Sequence, residues 1–270
     1  MSYESPGAGT SVALSCRYGA SRLPVRGPRR PLDRPYWAFL GGSETFGKYV
    51  AHPFPDLVET GSGRICVNLG CVNAGLDAFA NDPDTLRIAQ AAGRAVIQLP
   101  GAQNLSNRFY RVHPRRNDRF LTASPMLTAI YREVDFTEFH FVRHMLGALH
   151  DRSPDRFALV RSELEQAWQA RMRLLLRAIG GRAVLLWLRY GDEGGGDLGS
   201  RPMFVTSPMV EALRPDVADI VEVAVRPAGE SGELGDMAFG AMQAPAAAHL
   251  IGPATHRDVA GQLLRVLRPS

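Results

Sequence analysis

The sequence predicts an α/β fold with a mainly parallel five-stranded sheet and helices on both faces, in a flavodoxin-like arrangement. Apolar runs with the length of buried strands lie at residues 36–40, 65–69, 95–99, 183–188 and 220–225. Segments with apolar residues three or four positions apart, which is typical of helices, lie between most of them. Buried strands that alternate with helices indicate a parallel sheet with right-handed crossovers and a ligand site at the carboxyl ends of the strands.

Turn and capping residues delimit these elements. The first three strands are followed by Gly41, Gly70 and the pair Pro100–Gly101. Helices are predicted at residues 83–93, 122–132, 138–149, 154–179, 205–213 and 253–266. Asp82 and Pro83 supply the N-cap and the first turn of the helix at 83–93.

Three regions follow from the composition along the chain. Residues 1–35 are rich in glycine, proline, serine and arginine without a hydrophobic period, so we expect an extended basic N-terminal arm. Residues 36–270 are expected to form one α/β domain. The stretch after the third strand is longer than one crossover needs, which predicts a helical insertion over the site at about residues 105–152.

The overall composition is that of an ordinary globular protein. Of the 270 residues, 45% are hydrophobic and 21% are charged, which excludes disorder for most of the chain. No apolar run approaches the length of about 18 residues that a membrane span needs. The start has no signal-peptide pattern, and three cysteines without a paired spacing predict no disulfide framework, so a cytoplasmic location is expected.

Two clusters of arginine carry most of the local positive charge. The formal net charge is +4, Lys48 is the single lysine, and the clusters lie at residues 17–34 and 108–119. Bidentate guanidinium contacts suit a phosphate, sulfate, carboxylate or acidic sugar. The alternative is that these arginines pair with loop carbonyls and carboxylates. The residues that we expect to grip an anionic substrate are Asn107, Arg108, His113, Arg115 and Arg116.

Neither a nucleic-acid partner nor a metal or other cofactor is expected. The arginine clusters contain no known nucleic-acid-binding motif. His140 and His144 are four positions apart, a spacing that suits a metal, but no third ligand is evident.

Polar residues follow the predicted strands at the edge where a ligand site is expected. Ser43 follows a pair of glycines between strand and helix, where its hydroxyl can act as a nucleophile or simply cap the helix. Asn73 lies in a loop suited to positive φ with free N–H groups, and Gln103 and Asn104 follow the third strand. Such groups can stabilise an oxyanion or only shape turns. His249 precedes the last helix and can act as a general base or be structural.

Several of these segments resemble the SGNH (GDSL-type) esterases and acyltransferases. Residues 39–47 (FLGGSETFG), followed by 53–59 and 67–70, resemble the opening strand–serine block and the next strand of that family. Residues 249–264 (HLIGPATHRDVAGQLL) resemble its histidine block and terminal helix. The blocks occur in the family's order across residues 36–270. Segments that also resemble an uncharacterised bacterial family lie at residues 16–19, 101–110 and 113–120.

The resemblance implies a set of catalytic roles. Ser43 would be the nucleophile and His249 the base. The oxyanion would be held by the N–H of Ser43, the N–H of Asn73 and the side-chain amide of Asn104 or Gln103. The implied activity is ester hydrolysis or acyl transfer on a small molecule or glycan of anionic or carbohydrate type, without a cofactor.

Two departures from the family pattern keep other functions open. Gly42 and Ala246 stand where the family has aspartates, which favours a non-catalytic protein that binds an anionic ligand on the same fold. A sulfate- or phosphate-group transferase is a further alternative that would explain the arginines. It would depend on Lys48, because no donor-phosphate loop with a lysine follows a strand.

Overall fold

The structure of the protein is a computed structural model that describes residues 15–191, 198–199 and 201–267. In chain order, the strands are β1 (Ser15–Cys16), β2 (Val25–Arg26), β3 (Tyr36–Leu40), β4 (Ile65–Asn68), β5 (Arg94–Gln98), β6 (Tyr110–Val112), β7 (Phe120–Ala123), β8 (Ala183–Tyr190) and β9 (Asp219–Val225). The helices are α1 (Ser43–Phe46), α2 (Phe54–Ser62), α3 (Leu76–Ala80), α4 (Pro83–Ala91), α5 (Pro125–Ile130), α6 (Val142–Arg152), α7 (Pro154–Ile179), α8 (Ser207–Glu211), α9 (Ala228–Ser231), α10 (Ala244–Ala248) and α11 (Pro253–Val266).

The predicted five-stranded parallel sheet is confirmed. Its strand order is β4-β3-β5-β8-β9, and each neighbouring pair is parallel. All five residues of β3 are buried, as expected of a strand that is covered on both faces. The chain runs from β3 outward to β4 and then back across to β5. The strand order therefore reverses between β3 and β5, which is where sheets of this flavodoxin-like order bind ligands.

Helices cover both faces of the sheet, as the alternation of strands and helices predicts. On one face, Phe54 of α2 and Leu263 of α11 pack in a core with Phe39 of β3. On the other face, α4 and α7 contribute Ile88 and Trp168 to the larger core. The alternation of side chains along β3 sends neighbouring residues into different cores.

Helix α7 covers its predicted range and helps to position the site. It starts where the Ser153 hydroxyl accepts a hydrogen bond from the Arg156 N–H at 3.3 Å, with Pro154 in the first turn. Trp168 is fully buried on its apolar face, and its indole N–H donates to the carbonyl of Pro100 at 2.8 Å. The loop after β5 is thereby fixed to the helix.

The region of the predicted helical insertion contains strands as well as helices. β6 and β7 pair antiparallel, with Tyr110 opposite Ala123. Helix α5 starts at Pro125, three residues after the predicted position, because Ser124 caps it by accepting from the Leu127 N–H. Strands of three and four residues are too short to show a period of two in a sequence.

Residues 15–35 of the expected arm pack on the domain, while residues 1–14 lie outside the described part. β1 and β2 form a small antiparallel pair, and Leu23 and Val25 belong to the larger core. Arg26 is buried, and its guanidinium donates to the carbonyls of Phe46 and Gly47, directly after α1. In the described ranges, no helix has both the length and the apolar character that crossing a bilayer requires.

Candidate active site

A cavity of about 290 Å³ opens at the carboxyl ends of β3, β5 and β8. The five residues predicted for catalysis all line it: Ser43, Asn73, Gln103, Asn104 and His249. Further polar and charged residues of its wall are Glu44, Gln98, Asp118, Arg143, Tyr190 and Arg201. The structure thus brings together side chains from loops that are far apart in the sequence.

The glycines before Ser43 allow a tight turn from β3 into α1. A Cβ atom at Gly41 would overlap the Thr45 hydroxyl and the Gln98 side chain, so only glycine fits there. The side-chain oxygen of Gln98 accepts from the N–H of Gly42 at 3.2 Å and from the Thr45 hydroxyl at 2.6 Å. These bonds hold the turn so that Ser43 is the first residue of α1 and reaches the cavity.

Asn73 contacts the Ser43 hydroxyl with both its backbone and its side chain. Its φ of 59° is in the left-handed region, which asparagine tolerates better than most residues. Its N–H donates to Ser43 Oγ at 3.3 Å, and Ser43 Oγ lies 3.5 Å from Asn73 Oδ1 as a long hydrogen bond. Asn73 therefore fixes the serine hydroxyl.

Asn117, which the sequence analysis did not single out, holds two loops of the site together. It is fully buried, and its side-chain oxygen accepts from the N–H groups of Gly75 at 2.8 Å and Ala78 at 3.1 Å. Its side-chain nitrogen donates to the backbone carbonyl of His113, and its backbone N–H donates to the backbone carbonyl of Asn73. A single asparagine in an arginine-rich stretch offers no sequence signal for this role.

The next residue, Asp118, was also missed and belongs to the cavity wall. Its Oδ2 accepts from the side-chain nitrogen of Asn73 at 3.2 Å. Its Oδ1 is buried and has no hydrogen-bond partner within the described residues. Burial raises the pKa of this carboxyl, although the positive charge of Arg116 opposes the increase. Raised carboxyl pKa values in clefts are typical of functional sites.

The two amides after β5 are differently placed. Asn104 is half-buried in the cavity wall, and its side-chain amide makes no hydrogen bond to the described residues. The side-chain oxygen of Gln103 is buried against Gly101 and likewise lacks a partner in the described part of the chain. Both residues line the cavity, and no hydrogen bond to the described residues engages the side-chain nitrogen of either one.

Glu44 is a second carboxyl in the wall, and both of its oxygens are engaged. Oε1 accepts from the Tyr190 hydroxyl at 3.2 Å. Oε2 accepts from the side-chain nitrogen of Gln98 at 3.0 Å. Glu44 thus connects the start of α1 to the ends of β5 and β8.

Arg201 contacts His249, and both residues belong to the cavity wall. Its guanidinium donates to the His249 carbonyl at 3.0 Å and lies 3.4 Å from the ring nitrogen Nδ1. A guanidinium is a donor only, so a hydrogen bond in this contact requires Nδ1 as the acceptor. The hydrogen bonds of the Ser43 hydroxyl with described residues are all to Asn73, and none is to His249.

The residues expected to grip an anionic substrate do not belong to the lining of this cavity. Arg108 is held by Glu163, and the Asn107 side chain closes its own turn by accepting from the Phe109 N–H. The His113 ring accepts from the backbone N–H groups of Arg115 and Arg116, whose exposed side chains do not reach the wall. The cationic side chains of the lining are instead those of Arg143 and Arg201.

Fold and cavity together define a parallel α/β protein with a polar site at the switch point of its sheet. The chain belongs to the family described as "Domain of unknown function (DUF6473)", which matches residues 1–270. No curated protein matches the sequence. Among solved structures, the lipase Lip_vut3 from a goat rumen metagenome is similar at 10% identity, over 87% of this chain and 98% of that chain, with a TM-score of 0.46. A gut microbial diltiazem-metabolizing enzyme is similar at 11% identity with a TM-score of 0.34. The alignment covers 86% of this chain and 46% of that enzyme, so this chain spans less than half of the enzyme's length.

Proposed function

We propose that the protein hydrolyses or transfers acyl groups of ester substrates through the nucleophile Ser43, in the manner of SGNH enzymes. One observation carries the proposal. Ser43 and His249, which the family resemblance pairs, line the same cavity although nearly the whole domain separates them in sequence. Asn73 and Asn104, the residues expected to hold an oxyanion, line it too.

The reaction begins when Ser43 Oγ attacks the ester carbonyl carbon, while His249, the base that the family resemblance implies, takes the hydroxyl proton and later returns it to the departing alkoxide. The developing oxyanion is stabilised by the N–H of Ser43 at the start of α1, by the Asn73 N–H and by the side-chain amide of Asn104 or Gln103. The Asn73 N–H has to turn from Ser43 Oγ to the oxyanion as the new bond forms. Collapse of the tetrahedral intermediate releases the alcohol and leaves an acyl-enzyme, which water or an acceptor hydroxyl then attacks.

The charges of the cavity wall support a substrate with an anionic part. The guanidinium groups of Arg143 and Arg201 suit a carboxylate, phosphate or acidic sugar in the part of the substrate that does not react. A cavity of about 290 Å³ suits a short acyl or sugar ester better than a long lipid chain.

Covalent labelling with a fluorophosphonate probe tests the proposal without knowledge of the substrate. The probe phosphonylates an activated serine and loses fluoride, and mass spectrometry then locates the label. Ser43→Ala should abolish labelling. Ser162→Ala, which removes an exposed hydroxyl on α7, is the matched control and should label normally. A Ser43→Ala protein that labels as well as the wild type would refute the proposal.

A non-catalytic anion-binding protein is the second candidate, and one observation favours it. The ring nitrogen of His249 that a catalytic carboxylate would orient is occupied by the Arg201 guanidinium. In that case Ser43 would stay unlabelled, and the protein would bind small carboxylates or phosphates with a strong dependence on salt. The transferase alternative has no such support, since Lys48 packs on the ring of Tyr49 and lies outside the cavity lining.

A further inference from the structure

We infer that the protein has a second ligand site, a cavity lined by Arg22 and Arg115 that binds a small phosphate monoester carrying hydroxyl groups. The cavity has a volume of about 370 Å³, and we call it the Arg22–Arg115 cavity. None of its lining residues belongs to the lining of the candidate active site. The inference therefore goes beyond the proposed function and does not rest on it.

The fold brings the two arginine-rich segments of the chain together at this cavity. Arg22 lies in the arm between β1 and β2, and Arg115 lies in the segment between β6 and β7. One member of each arginine cluster thus lines the same cavity. Two guanidinium groups can bind a phosphate group through several charge-assisted hydrogen bonds, and its charge of nearly −2 at neutral pH strengthens them.

Both guanidinium groups are available to a ligand. The two side chains are exposed, and neither makes a hydrogen bond or an ion pair with a described residue. The hydrogen bond from Arg115 to the His113 ring comes from the backbone N–H and leaves the guanidinium unused. Other arginines of the same clusters are engaged within the fold, as Arg108 is by Glu163.

Two further polar residues of the wall bear on the rest of the ligand. Asp82 caps α4, where its Oδ1 accepts from the Thr85 N–H at 2.9 Å, and its Oδ2 accepts from the Ser21 hydroxyl at 2.8 Å. Asn81 is exposed, and its side chain makes no hydrogen bond with the described residues. The described lining holds two arginines and one carboxylate, so it still favours an anion. The Asn81 amide and the remaining lone pairs of Asp82 suit hydroxyl groups, which points to a sugar phosphate.

Hydrogen bonds connect this cavity to the candidate active site. Ala78 lines the Arg22–Arg115 cavity, and its N–H donates to the buried side chain of Asn117 at 3.1 Å. The same side chain donates to the backbone carbonyl of His113 at 2.8 Å, and the Asn117 N–H donates to the carbonyl of Asn73 in the wall of the active site. A ligand that bridges the two arginines therefore restrains residues 113–118, a segment that contributes to both cavities.

Isothermal titration calorimetry of the full chain with glucose 6-phosphate tests the inference. Arg22→Gln and Arg115→Gln should each raise the dissociation constant by about tenfold or more, because each removes charge-assisted hydrogen bonds. The double variant should show no binding at this cavity. Arg115→Lys keeps the charge but loses the planar guanidinium, so its dissociation constant should lie between those of the wild type and Arg115→Gln.

Two control variants test whether the effect belongs to this cavity. Arg111→Gln removes an equal charge at an exposed position of β6 outside the lining and should keep the wild-type dissociation constant. Arg143→Gln changes the wall of the candidate active site and should keep it as well. An equal weakening in Arg111→Gln would mean that the ligand responds to general positive charge, and would overturn the inference. Loss of binding in Arg143→Gln, with normal binding in Arg22→Gln and Arg115→Gln, would overturn it too.

Two further probes test the class of ligand. Glucose without the phosphate should not bind. Inorganic phosphate should bind at least about tenfold more weakly than glucose 6-phosphate, because it makes no hydrogen bonds through sugar hydroxyls. Equal affinity for inorganic phosphate would overturn the assignment to a sugar phosphate. A wild type that does not bind glucose 6-phosphate at millimolar concentration would overturn the site itself.

Amide hydrogen exchange locates the bound ligand by a separate measurement. Glucose 6-phosphate should slow exchange in residues 113–118 of the wild type but not of Arg115→Gln. Unchanged exchange in the wild type would overturn the proposed location. Circular dichroism verifies that each variant is folded, and Arg115→Lys decides the case if Arg115→Gln is not. None of these readouts uses the reaction of Ser43, so their failure would leave the proposed function standing.

Discussion

The backbone N–H of Phe54 donates a hydrogen bond of 3.0 Å to Nδ1 of His256, although nearly the whole domain lies between them in the sequence. The two rings also stack, with centroids 5.6 Å apart. Phe54 begins α2, which follows the serine loop, and His256 lies in α11, which follows the loop of His249. This contact therefore joins the two halves of the candidate active site.

His256 should make the protein less stable in acid. The ring is buried, which lowers its pKa to about 3, whereas the same side chain in the unfolded chain titrates near about 6.5. Between these values only the unfolded state binds the proton, so stability falls as the pH drops below about 6.5, by up to about 1.4 kcal/mol per pH unit. Urea unfolding of the wild type at pH 8 and pH 5 measures this loss.

The variant His256→Gln isolates the contribution of this ring. Its amide oxygen can accept from the Phe54 N–H but does not titrate, so the loss of stability between pH 8 and pH 5 should shrink. His52→Gln, at an exposed position, is the control and should keep the wild-type loss. An equal loss in wild type and His256→Gln would mean that other groups cause the acid sensitivity.

Arg26 should be among the most sensitive positions for stability. Its buried guanidinium donates to four carbonyls in the segment after Ser43, those of Phe46, Gly47, Val50 and Ala51. Arg26→Ala leaves these carbonyls without partners and should lower the free energy of unfolding by at least about 3 kcal/mol. A lysine side chain carries a single ammonium nitrogen in place of the branched guanidinium, so it cannot reach all four carbonyls. Arg26→Lys should therefore recover only part of the lost free energy of unfolding.

Denaturant titration measures both Arg26 variants. Arg22 is exposed and makes no hydrogen bond to the described residues, so Arg22→Ala should change stability by no more than about 0.5 kcal/mol. If Arg26→Ala lowered the free energy of unfolding no more than Arg22→Ala, the buried guanidinium would not stabilise residues 46–51 in solution.

The sheet could be predicted from the sequence because each strand is buried on both faces. Runs such as residues 36–40 and 183–188 are apolar at every position, and the structure has strands there. The burial of Arg26 could not be predicted in the same way. It lies among five other arginines in residues 17–34, where charge indicates exposure, and only the fold shows that four carbonyls surround its head group.

The candidate site was predictable only where it lies directly at strand ends. Ser43 and Asn104 follow β3 and β5 closely, so the topology of a parallel sheet places them together. Asp118, Arg143 and Arg201 come from segments whose path depends on tertiary contacts such as those of Asn117. The high density of arginine at residues 108–119 predicted substrate-binding side chains there. In the structure, Arg108 of this cluster pairs with Glu163 instead.

A methyl group at Gly75 should disturb the cavity wall. A Cβ atom there would overlap the backbone carbonyl oxygen of Asn104 and come within 3.1 Å of the Asn117 side chain. Gly75→Ala should therefore cost about 1–3 kcal/mol and slow labelling of Ser43, because it displaces the Asn104 amide. Thermal unfolding and probe kinetics measure the two effects.

Gly147→Ala is the matched control for Gly75→Ala. Gly147 lies inside helix α6, and a Cβ atom there meets nothing within 4 Å. The substitution should raise stability by about 0.5–1 kcal/mol, because alanine is the better helix former, and leave labelling unchanged. Normal labelling by Gly75→Ala would show that Asn104 is not needed for the reaction of the serine.

Asp118→Asn should make the folded protein more stable at pH 7.5. Burial raises the folded-state pKa of Asp118 above the value of an unfolded aspartate, so the folded state binds the proton more tightly. The stability that this proton provides is present in acid and is lost as the pH rises through the folded-state pKa. A neutral amide avoids that loss, so we expect a gain in the free energy of unfolding at pH 7.5 that becomes smaller towards pH 4. Urea unfolding at both pH values measures the gain, with Asp151→Asn as the exposed control. A purely structural carboxylate would give the opposite sign at pH 7.5, because its removal would weaken the fold.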